Sequence, residues 1–577
     1  MNLKKNILAL AIVTTLSACG GSSGTDEPPV VVTPNTAPTD IALSNSSVAE
    51  NTTAGVVGTL SATDADSGDT FTYTIDDERF AIAGDELALA TDVMLDFEQV
   101  QSIDVNVTVT DSSSNAFSKA LTIDVTDLLD TYAFNSKFID GDSAVSYSGQ
   151  VARHVLIAEL NNYIGNQLKA DLDDGTLTTR DAVIAQLDKF FRTTEEQYDN
   201  FPITFMADTK QNFITDISSS HKNLVGKLAG NDSGGQEKDW NNGDFAGWGL
   251  KGSITPTELI DVFFGQLADN AEVHLTGAVR QSITGDDISE IYLNEDGTDL
   301  KQLIQKFLLM GITYSQATAD YLGEDTEGKG LTTDNISQDG GTKAYSKLEH
   351  QFDEGFGYLG ATRDYLAYND NEIAAKVSSD EDGRSDWNGK HDSDGDGLYD
   401  LTSEVIMGNA ANAAKRDRGT ASGAAPTDYS TDIMEAFITG RNIINENAGM
   451  ALSDDQMAAL LAQRDIAVAG WEKAIAATVV HYINDVNADL ASFGTEDFNY
   501  ADLAKHYSEL KGFALGLQFN PYSAITDVQF EQIHALFANK PALDTAENVT
   551  AYQADLMTAR DIIEAALSFD AENTQNW

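Results

Sequence analysis

The stretch IDVNVTV at residues 103–109 places an apolar side chain at every second position. This alternation is typical of a β-strand with one buried face and one solvated face. Similar short runs occur at residues 40–43, 71–75 and 121–125, and turns rich in Gly, Ser and Asp separate them. Together these runs predict a small all-β antiparallel sandwich over residues 38–130.

The pattern changes after residue 130, because apolar residues then recur at intervals of three and four. Runs of β-branched residues become rare, and Ala and Leu increase. We therefore expect residues 131–577 to form a large all-α helical bundle, so that the chain is multidomain. The clearest predicted helices span 148–172, 179–193, 256–275, 298–322, 342–368, 429–446, 453–492, 498–517, 526–538 and 549–568.

The composition of the whole chain is strongly acidic. Its 577 residues include 92 Asp and Glu against 35 Lys and Arg, which gives a net charge of −57. Phosphate groups are repelled by such a chain, so nucleic acid is excluded as a partner. At 42% hydrophobic residues the chain has enough apolar material for a core. An excess of carboxylates favours Ca²⁺ as a cofactor, and the alternative is solubility in a salty habitat.

The N-terminus has the pattern of an export signal. Two lysines precede a short apolar stretch at residues 7–13, and LSAC follows at residues 16–19. Small residues before a cysteine resemble a bacterial lipobox, which implies a signal peptide at 1–18 and lipidation of Cys19. The alternative is an ordinary signal peptide with an incidental cysteine. Because the chain has one cysteine, no internal disulfide is possible.

The lipobox resemblance also predicts where the protein is located. Residues 19–37 are rich in Gly and Ser, then in Pro, Val and Thr, and they predict a flexible linker leading away from the membrane. Gly rather than Asp follows Cys19, which by resemblance to Gram-negative lipoproteins implies the outer membrane. A lipid anchor would then hold the protein in the cell envelope, on either the periplasmic or the exposed face.

Acidic residues recur at characteristic places in the predicted sandwich. They lie in APTDI at 37–41, VAEN at 48–51, DADSG at 64–68, LDFE at 95–98 and VTD at 109–111. This spaced set resembles a bacterial cadherin-like repeat. The resemblance implies calcium ligands at one end of the domain and, for the DAD pair, at a junction with a preceding repeat. The implied ligands are Glu50, Asp64, Asp66, Asp96, Glu98, Asp127 and Asp130. The alternative is that these acids only form turns.

The stretch HDSDGDGLYDLTSE at residues 391–404 follows an EF-hand-like calcium loop. Acids occupy positions 1, 3, 5 and 9, and glycine occupies position 6. The final Glu falls at position 13, whereas an EF-hand has it at position 12, so the sequence predicts a variant loop leading into one helix. The expected ligands are Asp392, Asp394, Asp396, the carbonyl of Leu398, Asp400 and Glu404. The alternative is a solvated acidic turn.

Two histidines lie near carboxylates on predicted helices, and His481 lies on a stripe of small residues that suits close helix packing or a pocket. In EHQFDEGFGYLG at 349–360, His350, Asp353 and Glu354 share the face opposite an apolar one, so this stripe is either solvated or lines a cavity. In AKHYSE at 504–509, a His precedes a Glu by three residues. Helical bundles use such pairs for iron and other transition metals, although a core histidine is the alternative. The second set of metal or ligand candidates is His350, Asp353, Glu354, His481, His506 and Glu509.

Four segments resemble an uncharacterised family of bacterial lipoproteins: YSGQ at 147–150, FGYLG at 356–360, DGDGLYDL at 394–401 and KGFALGLQFNP at 511–521. That family, a domain of unknown function, is distantly similar to imelysin-type lipoproteins linked to iron uptake. Imelysins often carry Gly-x-His-x-x-Glu, where this chain has Ala504 in place of Gly. No serine triad, phosphate loop or His-Glu-x-x-His site is present.

These features predict a calcium-binding, non-enzymatic lipoprotein of the cell envelope. Its helical domain is expected to bind a metal or metal complex during uptake. The alternative is calcium-dependent adhesion to a surface receptor or to another cell-envelope protein. A metal-dependent hydrolase ranks below both.

Overall fold

The computed structural model describes residues 34–577, apart from residues 51, 53, 92, 94, 96, 98, 99, 127–129, 233–235, 237 and 327. The chain divides into two compact units, Met1–Leu128 and Leu129–Trp577. The predicted signal peptide, Cys19 and most of the predicted linker lie outside the described residues.

The first unit is a β-sandwich of two four-stranded sheets. One sheet has the strand order β1-β3-β6-β5 and the other has the order β2-β8-β7-β4, in which β2 runs parallel to β8. The strands are β1 (Asp40–Leu43), β2 (Ser47–Ala49), β3 (Val56–Thr63), β4 (Thr72–Ile75), β5 (Phe80–Ala83), β6 (Glu86–Leu89), β7 (Ser102–Thr110) and β8 (Ala116–Thr126).

Strand β7 shows why this unit folds as a sandwich. It pairs antiparallel with β8 from Ser102 opposite Asp124 to Thr110 opposite Ala116. The apolar side chains at its alternate positions are buried in the core between the sheets, whereas Asp104 and Asn106 face solvent. The alternation in the sequence thus predicts both the strand and its buried face, and the predicted sandwich is confirmed.

The second unit is helical. Its helices are α1 (Ser148–Asn162), α2 (Leu168–Asp173), α3 (Arg180–Phe191), α4 (Glu195–Tyr198), α5 (Ile214–Ile217), α6 (Pro256–Leu275), α7 (Leu300–Leu308), α8 (Lys347–Leu359), α9 (Asp370–Ile373), α10 (Gly408–Asp417), α11 (Tyr429–Glu446), α12 (Asp454–Ala491), α13 (Tyr500–Ala514), α14 (Asp527–Phe537), α15 (Ala546–Leu567) and α16 (Ala571–Asn576). A short hairpin of β9 (Arg280–Gln281) and β10 (Asp287–Ile288) lies among them. The predicted helical domain is confirmed.

Local capping signals set the ends of the helices. Helix α6 begins with a capping box in which Thr255 and Glu258 bond each other's backbone, and Pro256 occupies its first turn. Helix α8 ends at Leu359 because Gly360 adopts a left-handed φ of 86° against the carbonyl of Met407. The predicted continuation of this helix to residue 368 is therefore wrong.

Within the described part of this unit, three π-helical turns interrupt the helices. Tyr163–Gln167 joins α1 to α2, and Leu309–Tyr314 and Gln316–Tyr321 follow α7. Each adds about one residue to a helical turn. The predicted helices 148–172 and 298–322 are therefore divided in the structure.

Candidate metal centres

The loop at residues 391–404 wraps around the carboxylate of Asp392. The amides of Gly395 and Gly397 donate to its two oxygens at 2.8 Å each. Both glycines have a left-handed φ, 72° and 87°, which other residues adopt only at a cost. The Asp-Gly-Asp-Gly order therefore specifies the loop geometry as well as its charge.

Three carboxylates of this loop converge. Ligand oxygens of Asp392, Asp394 and Glu404 all lie within 4.8 Å of one another. Two oxygens that each lie about 2.4 Å from one Ca²⁺ are at most about 4.8 Å apart, so the spacing suits one shared ion. Glu404 is 3% exposed and accepts hydrogen bonds from the amides of Ser393 and Asp400, both at 2.8 Å. It reaches the triad from a turn before α10, not from within a helix.

The other acids of the loop have different partners. The ammonium of Lys210 lies 3.0 Å from Asp396 and 3.1 Å from Asp394. Hydrogen bonding to these two acids raises the pKa of Lys210, and the Lys210 bond in turn lowers the pKa of Asp394. Asp396 therefore pairs with a lysine and lies outside the triad, and a divalent cation would compete with that lysine for Asp394.

Residues 208–211 brace the loop from a distant part of the chain. The amide of Lys210 donates to the carbonyl of Tyr399 at 2.9 Å. The side-chain amide of Gln211 donates to Asp400 at 2.9 Å and accepts from the amide of Leu401 at 3.0 Å. Asp400 is thus held by Gln211 rather than within the triad. Leu398, whose backbone carbonyl is a predicted ligand, is 40% exposed.

A second carboxylate cluster lies in the sandwich. Ligand oxygens of Asp64, Asp69 and Asp111 lie within 4.8 Å of one another. One oxygen of Asp64 is buried and has no hydrogen-bond partner among the described residues. Asn35 donates to Asp69 at 2.7 Å, and Asn115 donates to Asp111 at 2.9 Å. A buried carboxylate oxygen without a donor is costly, and a cation is one group that could compensate its charge.

Asp111 and Asp69 complete this cluster although neither was among the predicted ligands. Asp111 belongs to the spaced set of acids in the sequence. Burial alone would raise its pKa, but hydrogen bonds from Asn115 and Ser113 outweigh burial and lower it. Asp69 follows the turn at Gly68 and lies 42 residues before Asp111 in the chain. The two come together only when the sheet forms, so the local sequence does not predict their proximity.

The remaining predicted sandwich ligands are placed as follows. Asp66 lies outside the triad and accepts from the amide and hydroxyl of Thr36, both at 2.7 Å. Glu50 is 1% exposed and accepts from the amide of Phe97 at 2.7 Å. Asp130 is half-buried in the helical unit. Asp96, Glu98 and Asp127 lie outside the described residues.

On helix α8, the predicted polar stripe contains a buried ion pair. Arg441 donates to Asp353 at 2.7 Å and to Glu349 at 2.9 Å, and all three side chains are fully buried. Tyr132 also donates to Asp353, at 2.9 Å. At Asp353 the stripe is therefore neither exposed to solvent nor open to a cavity. The charge of Asp353 is neutralised by Arg441.

His350 and Glu354 lie beside this ion pair on the same helix. The Nδ1 atom of His350 bonds the carbonyl of Ser146 at 2.9 Å, and its Nε2 atom lies 3.9 Å from Glu354. Glu354 accepts from the side chains of Gln150 and Gln351, each at 2.9 Å. Two neutral amides thus hold Glu354 in place.

The histidines of α12 and α13 lie on neighbouring helices. His481 lies 3.3 Å from Asp485, and burial followed by the positive charge of Arg416 lowers its pKa to about 3. His506 donates to Asp489 at 2.8 Å, and this bond raises its pKa. The ammonium of Lys306 lies 3.4 Å from Glu509.

Among the described residues, two groups of three or more His, Cys, Asp or Glu have ligand atoms within 4.8 Å of one another, namely the two triads above. The six candidates of the second metal set belong to neither group. The structure therefore brings His481 and His506 to one region without converging their ligand atoms, and it leaves His350 apart from them.

Arg416 was missed in the sequence and lies in the same region. Its side chain is 7% exposed, and its Nε atom has no acceptor among the described residues. The charged side chains near it include Asp485, Asp417 and Arg418. Because this arginine adds positive charge beside His481, it disfavours a cation there.

Part of the helical unit is similar to a known protein family. Residues 130–392 match the family model described as a domain of unknown function, DUF4856. The match ends at the first acid of the 391–404 loop, so helices α10–α16 lie beyond it. No curated protein matches the chain.

Among solved structures, the crystal structure of the Protocadherin GammaB4 extracellular domain is similar to part of the chain. It is 21% identical, covers 19% of this chain and has a TM-score of 0.14. This chain covers 18% of the length of that structure. The sandwich assignment rests on the strand pairing described above.

Membrane-spanning segments were also sought among the helices of the described residues. None of these helices combines the length and the apolar character that crossing a bilayer requires.

Proposed function

We propose that this protein is a calcium-binding, non-enzymatic protein of the cell envelope. The observation that carries the proposal is the convergence of Asp392, Asp394 and Glu404 within 4.8 Å in a loop with EF-hand-like spacing. The sandwich triad at Asp64 supports a second site. Both sites consist of oxygen ligands alone, which favours a hard cation over zinc or copper.

Calcium fits these sites better than magnesium. Magnesium demands a near-ideal octahedron at about 2.0–2.1 Å and keeps several waters, whereas Ca²⁺ accepts six to eight oxygens in flexible geometry. Backbone amides hold the carboxylates of Glu404 and Asp392 in place. The ligand oxygens of the triad, spaced up to 4.8 Å apart, can therefore bind Ca²⁺ without moving closer together. The net charge of −57 adds a general attraction for divalent cations.

Location in the envelope rests on the lipobox-like LSAC sequence at residues 16–19. In this proposal the lipid on Cys19 anchors the chain to the outer membrane, and calcium stiffens the acidic loops. We do not propose transition-metal binding at His481 and His506. Their ligand atoms do not converge, and Arg416 lies beside them.

The proposal is tested by thermal unfolding of the purified ectodomain with and without 1 mM Ca²⁺, a concentration of about 100 times a Kd near 10 µM. Binding at that ratio stabilises the folded state by about 2.7 kcal/mol, which raises the Tm by several degrees. The double variant D392N/D394N should lose this shift in the helical unit.

The matched control is D380N/D386N, which removes the same charge from exposed aspartates close by in the sequence. It should keep the calcium shift of the parent protein. A shift of equal size in D392N/D394N would contradict the loop site, and a missing shift in the parent protein would contradict calcium binding altogether.

A further inference from the structure

A cavity of about 600 Å³ lies in the helical unit where the π-helical turn Tyr163–Gln167 meets α3, α4 and residues 200–204. Its volume is within the range of about 300–1,000 Å³ that small-molecule sites occupy. The cavity is remote in sequence from both carboxylate triads and uses none of their residues. π-helical turns occur frequently at functional sites.

The lining of this cavity is nearly free of available charge. Glu159 is the one acid among its described lining residues, and its oxygens accept from the amides of Thr204 and Phe205 and from the Thr204 hydroxyl. Lys189 donates to Gln186 at 2.6 Å. Among its described residues, the cavity therefore offers no carboxylate without hydrogen-bond donors.

Side-chain amides make up nearly half of the lining. They are Asn162, Asn166, Gln167, Gln186, Gln197 and Asn200. Each has one end bonded within the protein and the other end open, and the open ends include both donors and acceptors.

Three of these amides have an unbonded acceptor. Asn166 donates to Asn162 at 2.7 Å, Gln167 donates to Asp171 at 2.7 Å, and Asn200 donates to the Glu196 carbonyl at 3.4 Å. Their own carbonyl oxygens have no donor among the described residues, so three of the lining residues each keep an unbonded acceptor.

The open donors belong to the other three amides. The oxygen of Gln186 accepts from Lys189, that of Gln197 accepts from the amide of Thr194 at 2.9 Å, and that of Asn162 accepts from Asn166. Their NH₂ groups have no acceptor among the described residues. Donors and acceptors in equal number suit hydroxyl groups, each of which both donates and accepts.

An aromatic wall completes the cavity. Tyr163 and Phe190 pack with their ring centroids 5.1 Å apart, and Phe190 meets Phe201 edge-on at 5.5 Å. The hydroxyl of Tyr163 is directed to Asp171 at 2.8 Å, so the phenol contributes an apolar surface. A ligand for this cavity therefore has hydroxyls on one side and C–H groups on the other.

We propose that this cavity binds a neutral carbohydrate, two or three sugar units long. A sugar ring presents hydroxyls at its rim for the amides and C–H groups on its face for the aromatic wall. An anionic ligand has only Lys189 to pair with, and a cationic ligand has only the fully bonded Glu159. This site is independent of the proposed calcium function.

The test is isothermal titration of the full mature chain with three neutral trisaccharides: maltotriose, cellotriose and tri-N-acetylchitotriose. At least one should bind with a Kd below about 10 mM. The double variant N166A/Q186A removes two amides of the lining and should weaken that binding about tenfold or more, while its Tm stays within a few degrees of the parent.

The control variant N242A removes an exposed asparagine outside the cavity and should leave the affinity unchanged. A triuronate and a neutral tripeptide serve as comparison probes. Tighter binding of either probe than of every trisaccharide would overturn the proposal. It would also be overturned by no sugar binding below 10 mM, or by equal affinity in N166A/Q186A.

Discussion

At the scale of single residues, Arg441 neutralises two buried acids of the helical unit. Its guanidinium is fully buried and bonds Asp353, Glu349 and the carbonyl of Ala144. Removing one partner of such a group leaves a buried charge without compensation, which costs more than the pair itself gains.

We expect R441M to destabilise the protein by about 3–5 kcal/mol, because Asp353 and Glu349 would then be buried without a cation. Urea unfolding followed by circular dichroism measures this loss. The control K169M breaks the exposed pair with Asp173, whose side chains are 41% and 51% exposed, and should change stability by less than about 1 kcal/mol. A similar small change in R441M would contradict this role.

Lys511 provides a prediction about pH. It is fully buried, lies 3.0 Å from Nδ1 of His534, and burial lowers its pKa to about 7. Between pH 7 and its ordinary pKa of 10.5, the unfolded chain holds a proton that the folded chain has released. Stability therefore rises with pH across this window, by about 1.4 kcal/mol per pH unit.

Unfolding of K511M at pH 7.5 and 9.5 should show a smaller rise in stability than the parent protein shows. K505M, which removes an exposed lysine from the same helix, should keep the rise of the parent. An identical pH dependence in K511M and the parent would show that Lys511 stays protonated when buried.

At the scale of elements, the packing of α8 against the start of α1 depends on a glycine. A Cβ atom at Gly357 would lie 2.6 Å from Cβ of Tyr147 and 3.0 Å from Cβ of Gln150. The neighbours are themselves close to the backbone and have little freedom to move. The sequence FGYLG therefore sets the distance between two helices.

We expect G357A to destabilise the protein by about 1–3 kcal/mol, since overpacking exceeds the helix-propensity gain of about 1 kcal/mol. The control is G265A in α6, where the nearest heavy atom is a flexible Arg180 nitrogen at 3.4 Å. There the gain should dominate, at about 0.5–1 kcal/mol. Denaturant midpoints of the two variants should move in opposite directions.

Elements with strong patterns were predictable and others were not. The alternation at 103–109 predicted β7, and the apolar spacing over 256–275 predicted α6 with its observed ends. Helix α10 was missed because GNAANAAKRD carries only alanine as an apolar residue. The π-helical turns were missed because their extra residue per turn leaves no mark in composition.

The candidate sites also differ in whether the local sequence predicts them. The spacing of DSDGDG predicted a loop built around Asp392, since those ligands are neighbours in sequence. The Asp64 triad, the pairing of Asp353 with Arg441 and the amide cavity all depend on residues brought together by tertiary folding. No local pattern encodes such contacts, so the buried ion pair looked like a candidate metal site in the sequence.

At the scale of the whole molecule, the charge of −57 sets the response to salt. Like charges repel in the folded chain, and salt screens them over a Debye length that falls from about 30 Å at 0.01 M to about 10 Å at 0.1 M. We expect the Tm to rise between 10 and 300 mM KCl. Sucrose of equal osmolarity controls for solvent effects, and a Tm that falls with KCl would contradict the prediction.

Calcium binding through converging carboxylates is the central claim, and counting bound ions tests it most directly. Equilibrium dialysis of the full mature chain against Ca²⁺ in 150 mM KCl should show saturable binding with at least two ions per chain, one for each triad. The variants D392N/D394N and D64N/D111N should each lose one. Binding that never saturates, or a count that both variants leave unchanged, would contradict the claim.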